Sequence, residues 1–142
     1  MKKLTTKLMI ATATLVVVAG AASAQTMTAT IPFEFRVDGR VMEPGTYRVD
    51  LSRQDGSRIF DLWNVKSGRR AFVIGQAQVD PEDAWRATGQ GKLVFACASG
   101  NCTLAELYSG SGTRAHTVHR PKLGKDETAV LREIPLQPAK GE

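Results

Sequence analysis

The chain has 142 residues, 23% of them charged and 42% hydrophobic, and two cysteines. That length holds one ordinary domain and leaves little for a second. The formal charge of +5 includes Lys2, Lys3 and Lys7; without them 16 basic residues face 14 acidic ones, a near balance that gives no ground for nucleic-acid binding.

The first residues read MKKLTTKLMIATATLVVVAGAASA. Three lysines precede an apolar run from Leu8 to Gly20. The run is shorter than the roughly 20 residues a bilayer span requires. Ala22-Ser23-Ala24 then supplies the small-x-small pattern that signal peptidase accepts. No cysteine follows, so no lipid anchor is expected. Residues 1–24 are therefore read as a signal peptide cleaved after Ala24. The mature chain, 25–142, is expected in the periplasm or outside the cell, with no membrane span.

Strand patterns fill most of the mature chain. Ile31, Phe33, Phe35 and Val37 alternate with polar or proline positions, the period of a half-buried strand. Asp38-Gly39 is a hairpin signal, because both central residues of a type I′ turn need positive φ. Glu43-Pro44-Gly45-Thr46 is a second turn. Tyr47, Val49 and Leu51 alternate again. Asp55-Gly56-Ser57 leads into a strand at Arg58–Val65. Ser67-Gly68 leads into another at Ala71–Val79. Asp80-Pro81-Glu82-Asp83 then predicts a helix start, with Asp80 as N-cap and a proline at the first helical position. Gly89 and Gly91 limit that helix to Pro81–Thr88, and Trp85 is expected to turn inward as a plug. Strands resume at Lys92–Ala98 and Thr103–Ser109. Gly110 to Lys125 reads as polar, irregular chain. Thr128–Leu136 predicts a last strand, ended by Pro135 and Pro138, with a flexible tail from about residue 137. The fold class is all-β: a single antiparallel β-sandwich or small barrel of seven or eight strands with one short helix.

The segment IPFEFRVDGRVMEPGTYRVDL resembles the opening of a family of small exported bacterial β-domain proteins, which carry IPFxFxV, a glycine-containing turn and PxGTYxV after a signal peptide. LVFACASGNCTLAELY is similar to that family's second hairpin. The resemblance implies a secreted β-domain and transfers no catalytic residue. The cysteines are a variation within it, since aromatic or charged residues are common at those places.

Cys97 and Cys102 flank Ala-Ser-Gly-Asn, which is turn material. If the strands around them pair, the cysteines face each other at the ends of a four-residue loop. Opposed β-carbons stand about 4.5–5.5 Å apart, near the 3.5–4.5 Å a disulfide requires. An oxidising compartment then favours the bond. The competing pattern is zinc: Cys97-x4-Cys102 precedes His116-x2-His119, close to a finger's spacing but short at the histidines. Strand residues three apart point to opposite faces, and Pro121 disfavours a helix there. A redox pair would more usually read CxxC. No G-x-S-x-G elbow exists, and Ser109 and Ser111 are near His116 and His119 along the chain only. Glu82–Asp83 and Asp126–Glu127 read as solvated acids rather than a glycosidase pair. YSGSGTR lacks the lysine of a phosphate-binding loop. Arg69, Arg70 and the bases of 116–125 form a mild positive patch. Trp63, Trp85 and Tyr108 are the candidate ligand-facing aromatics, although such rings also fill cores.

No cofactor is expected. The favoured reading is a non-catalytic exported module, binding or structural, with sheet edges open to self-association. A carrier would instead hold an apolar ligand among Phe33, Phe35, Tyr47 and Phe95. A hydrolase would need His116 or His119 beside a serine or carboxylate.

Overall fold

The computed structural model describes residues 26–54, 57–110 and 113–139. The leader and its cleavage point lie outside the described residues, as does Ser111. The chain forms β1 (Met27–Ile31), β2 (Phe35–Val37), β3 (Arg40–Met42), β4 (Gly45–Gln54), β5 (Ser57–Asn64) and β6 (Arg70–Val79). These are followed by α1 (Asp83–Thr88), β7 (Lys92–Ala98), β8 (Asn101–Tyr108), β9 (Ala115–Val118), β10 (Val130–Pro135) and β11 (Gln137–Pro138). The all-β expectation holds. The strand number among the described residues is eleven rather than seven or eight: Pro32 splits one expected strand, β9 went unforeseen, and β11 lies where a tail was expected.

Ile31–Val37 is not continuous. Pro32 has no N–H to continue a ladder, so β1 ends opposite Gly45 of β4. The chain then crosses to a different neighbour, and Phe35 pairs with Met42 of β3 and Cys102 of β8. The β2–β8 pairing is parallel, so the sheet is mixed rather than wholly antiparallel. Asp38 and Gly39 have φ of 48° and 75°, the I′ geometry their sequence predicts.

The strand path runs β10-β7-β8-β9-β6-β5-β4-β1-β11. It has two halves that share β6. Arg70–Ile74 pairs with β5, and Gly75–Val79 pairs with β9. The path also begins and ends on consecutive stretches of the C-terminal chain. β10 pairs with β7, and after Leu136, β11 pairs with β1. The expected flexible tail is thus a strand as far as Pro138, and the Ala139 N–H donates to the Thr26 carbonyl at 2.9 Å.

Inward residues of both halves meet in one core. Ile31, Phe35, Tyr47, Phe60, Leu62, Leu93, Phe95, Leu104 and Leu107 are fully buried. Each such side chain contributes about 1.5–3 kcal/mol by leaving water. Leu104 and Leu107, three apart, both point inward because the register slips between Val94 and Phe95, leaving Ala105 as an extra residue. The Tyr47 hydroxyl donates to the Glu43 carbonyl at 2.6 Å, and burial raises its pKa.

A smaller cluster lies on the outer side of β7 and β8, where Trp85 covers Val94 and Tyr108. The helix is shorter than expected. Its N-cap is Glu82, not Asp80, and Glu82 makes no side-chain cap bond. Trp85 is buried as foreseen. β9, within the stretch read as irregular, fills the gap between β8 and β6. Its four residues, AHTV, are too few and too polar to show a period.

Candidate functional site

The first half of the sheet, β4-β5-β6, turns Val49, Leu62, Ala71 and Val73 into the core. Their alternating neighbours therefore point out. Register aligns them in rows: Arg48, Trp63 and Arg70 in one; Asp50, Asp61 and Phe72 in the next; Ile59 and Ile74 in a third. Among the described residues no helix covers this face, whereas Trp85 of α1 covers the face of β7 and β8. Phe72 and Ile74 are 58% and 63% exposed.

The indole of Trp63 is flanked by two guanidinium groups. Arg48 Cζ lies 5.7 Å from the ring centroid and Arg70 Cζ 5.5 Å. Arg70 also lies 5.8 Å from the Phe72 ring. Asp61 holds Arg70 there, with Nη2 donating to Oδ2 at 2.6 Å. A surface ion pair of this kind contributes at most about 1 kcal/mol; here it orients the guanidinium between two rings. Each Arg-over-ring contact adds roughly 0.5–1 kcal/mol. Beside Ile74 a cleft of about 230 Å³ is lined by Asp38, Gln76, Val118 and His119. Aromatic, arginine and aliphatic side chains on an open face are the composition of protein-recognition surfaces. Guanidinium groups already occupy space over the indole, where a sugar ring would otherwise stack.

Of the aromatics singled out from sequence, only Trp63 lies on this face. Trp85 and Tyr108 stack on each other at 5.8 Å under the helix, and the Trp85 indole N–H donates to Glu133 at 3.1 Å. The face's other members, Arg48, Phe72 and Ile74, escaped the sequence reading. The run Ala71–Ile74 is apolar at both parities, so it does not reveal which pair points outward.

Cys97 and Cys102 are joined, their Cα atoms 4.0 Å apart. The loop between the strands is not four residues. Ser99 and Gly100 form a two-residue turn with φ of 51° and 77°, Ala98 opposes Asn101, and the cysteines form the next pair. That places them at the narrower kind of opposed pair, where β-carbons stand closest. Bonded to each other, the two sulfurs are not thiolate ligands for the zinc pattern. Among the described residues no three His, Cys, Asp or Glu side chains gather as a metal site.

The histidines do not share a face. His116 is 4% exposed, not a solvated loop residue, and packs on Phe60 with centroids 5.3 Å apart. Arg58 Nη1 lies 2.7 Å from its Nε2; a guanidinium only donates, so Nε2 accepts. His119 is exposed. Ser109 Oγ donates to Thr113 Oγ1 at 3.1 Å.

The rings considered for a carrier pack on one another. Phe35 meets Tyr47 and Phe95 edge-on, each at 5.2 Å, and Phe33 meets Phe95 at the same distance. Arg132 caps Phe33 at 4.4 Å. On β8, burial raises the pKa of Glu106; Glu82 and Glu133 push the same way and Arg120 opposes them. Among the described residues no helix is long and apolar enough to cross a membrane. No family model, curated protein or solved structure matches this chain.

Proposed function

We propose that the chain is an exported, non-catalytic β-domain of the cell envelope or exterior that binds another protein through the outer face of β4, β5 and β6. One observation carries this reading: Phe72 and Ile74 stand more than half exposed beside Trp63 on an uncovered sheet face. Leaving such a row in water forgoes burial that an isolated domain would use. A basic start, an apolar run and Ala22-Ser23-Ala24 support export, and the disulfide suits an oxidising compartment. N-terminal sequencing of protein secreted by its own cells should begin at Gln25; a retained Met1 overturns the export half.

The binding half is tested with a photo-cross-linking residue placed at Phe72 and, as a control, at exposed Lys122. A discrete protein adduct is expected at position 72 and lost when Ile74→Asp is added. No adduct at 72, or equal adducts at both positions, overturns it.

A further inference from the structure

The same face carries an imbalance of charge that says what its partner presents. Around Trp63, Arg70 is neutralised by Asp61. Arg48, Lys66 and Arg69 make no ion pair among the described residues. Lys66 and Arg69 belong to the exposed turn after β5, and that turn folds beside the indole: a β-carbon on Gly68 would stand 3.9 Å from Trp63 Nε1. In that turn Val65 is 55% exposed. Unneutralised cations thus gather at one end of an apolar and aromatic strip made of Val65, Trp63, Phe72 and Ile74.

Resting on the binding reading above, we infer that the partner is an acidic polypeptide segment, with carboxylates spaced among apolar side chains. Its carboxylates meet Arg48 and the Lys66–Arg69 turn, and its apolar side chains cover Phe72 and Ile74. Arg48 is suited to this role. Its guanidinium is already held over the indole, so less freedom is lost when it forks onto a carboxylate. A phosphate-rich lipid surface fits less well. Asp50 and Asp61 lie in the middle of the face, and a continuous anionic plane would press against both. A polypeptide can set donors opposite those two carboxylates while offering acids to the arginines.

The probes are two labelled synthetic peptides and one vesicle. The first peptide alternates aspartate with leucine and phenylalanine; the second replaces each aspartate with lysine. The vesicle mixes phosphatidylglycerol with phosphatidylethanolamine. The acidic peptide should bind the processed, oxidised protein, and the basic one should not. Arg48→Glu should weaken the acidic peptide about tenfold or more, as reversal of an interface charge does. Lys66→Glu, in the exposed turn, should weaken it less, with an unchanged circular dichroism spectrum. Raising salt should weaken binding, because these charges are exposed. Equal binding of both peptides, indifference to Arg48→Glu, or binding to the vesicle but to neither peptide would overturn the inference. If cross-linking at Phe72 persists in the Arg48→Glu protein, the binding face stands and only the acidic partner is lost.

Discussion

A β-carbon on Gly91 would lie 2.9 Å from the Tyr108 carbonyl oxygen and 3.2 Å from two carbons of Leu136. The neighbour is backbone, and the Gly91 carbonyl itself accepts from the Leu136 N–H at 2.8 Å. Gly91→Ala should therefore destabilise the protein by about 1–3 kcal/mol, the cost of overpacking, read as a lower urea midpoint. Gly39 differs in kind: its β-carbon would meet nothing within 4 Å, and its φ of 75° alone penalises a side chain there. Glu106 gives a prediction with a sign in pH. Burial, with Glu82 and Glu133, raises its pKa in the folded state. The folded protein then holds that proton more tightly than the unfolded chain, and stability falls as pH rises through the interval between the two values. The penalty is complete above the folded value and absent below the unfolded one, about 4.3. Glu106→Gln should raise the urea midpoint at neutral pH, and the two proteins should converge below about pH 4, where the unfolded carboxylate is also protonated. A gap that persists in acid would show that the substitution acts through packing instead.

At the scale of elements, the β7–β8 hairpin and α1 are separately testable. The disulfide closes a loop of about six residues, and the chain-entropy model assigns it about 2 kcal/mol. Reduction, or Cys97→Ser with Cys102→Ser, should lower stability by about that much and leave the β spectrum in place, since Leu93, Phe95, Leu104 and Leu107 still pack inside. Loss of all structure on reduction would mean that the bond, not the core, sets the hairpin. Trp85→Ala should cost about 3–5 kcal/mol as a buried tryptophan, because its ring covers Val94 and stacks on Tyr108. The hairpin was legible in sequence because Ala-Ser-Gly-Asn is turn material between two strand-like runs, although its loop was read as four residues and is the two-residue Ser99-Gly100 turn. The helix was legible from its short length between Pro81 and Gly89, although its cap was not: the chain enters through Glu82 with extended ψ of 148°. β9 was hidden because its place depends on pairing with β6, distant in sequence, as well as with the nearby β8, and not on its own four residues.

For the whole molecule, the candidate face shows the same limit. Trp63 could be singled out as an aromatic, but Arg48 and Arg70 reach it only because three strands align in register. The ends of the sheet are the other property no local pattern reveals. Residues 130–138 pair with β7 through one half and with β1 through the other, so one segment covers two strand edges that would otherwise be open. Each half makes a different prediction. Among the described residues, removing 137–142 deletes the two register pairs to β1 and the Ala139–Thr26 hydrogen bond and keeps Leu136, which is 3% exposed. That protein should elute as the full-length one does and lose about 1–2 kcal/mol, the scale of a few net hydrogen bonds. Removing 130–142 also exposes the whole edge of β7, whose Leu93, Val94, Phe95 and Ala96 are buried on both sides. An apolar unpaired edge of that kind recruits other strands, so the longer truncation should aggregate or elute as a larger species in light-scattering chromatography. If it instead remains the size of the full-length chain, with an unchanged urea midpoint, then the C-terminal segment is an ornament on a sheet that holds itself together.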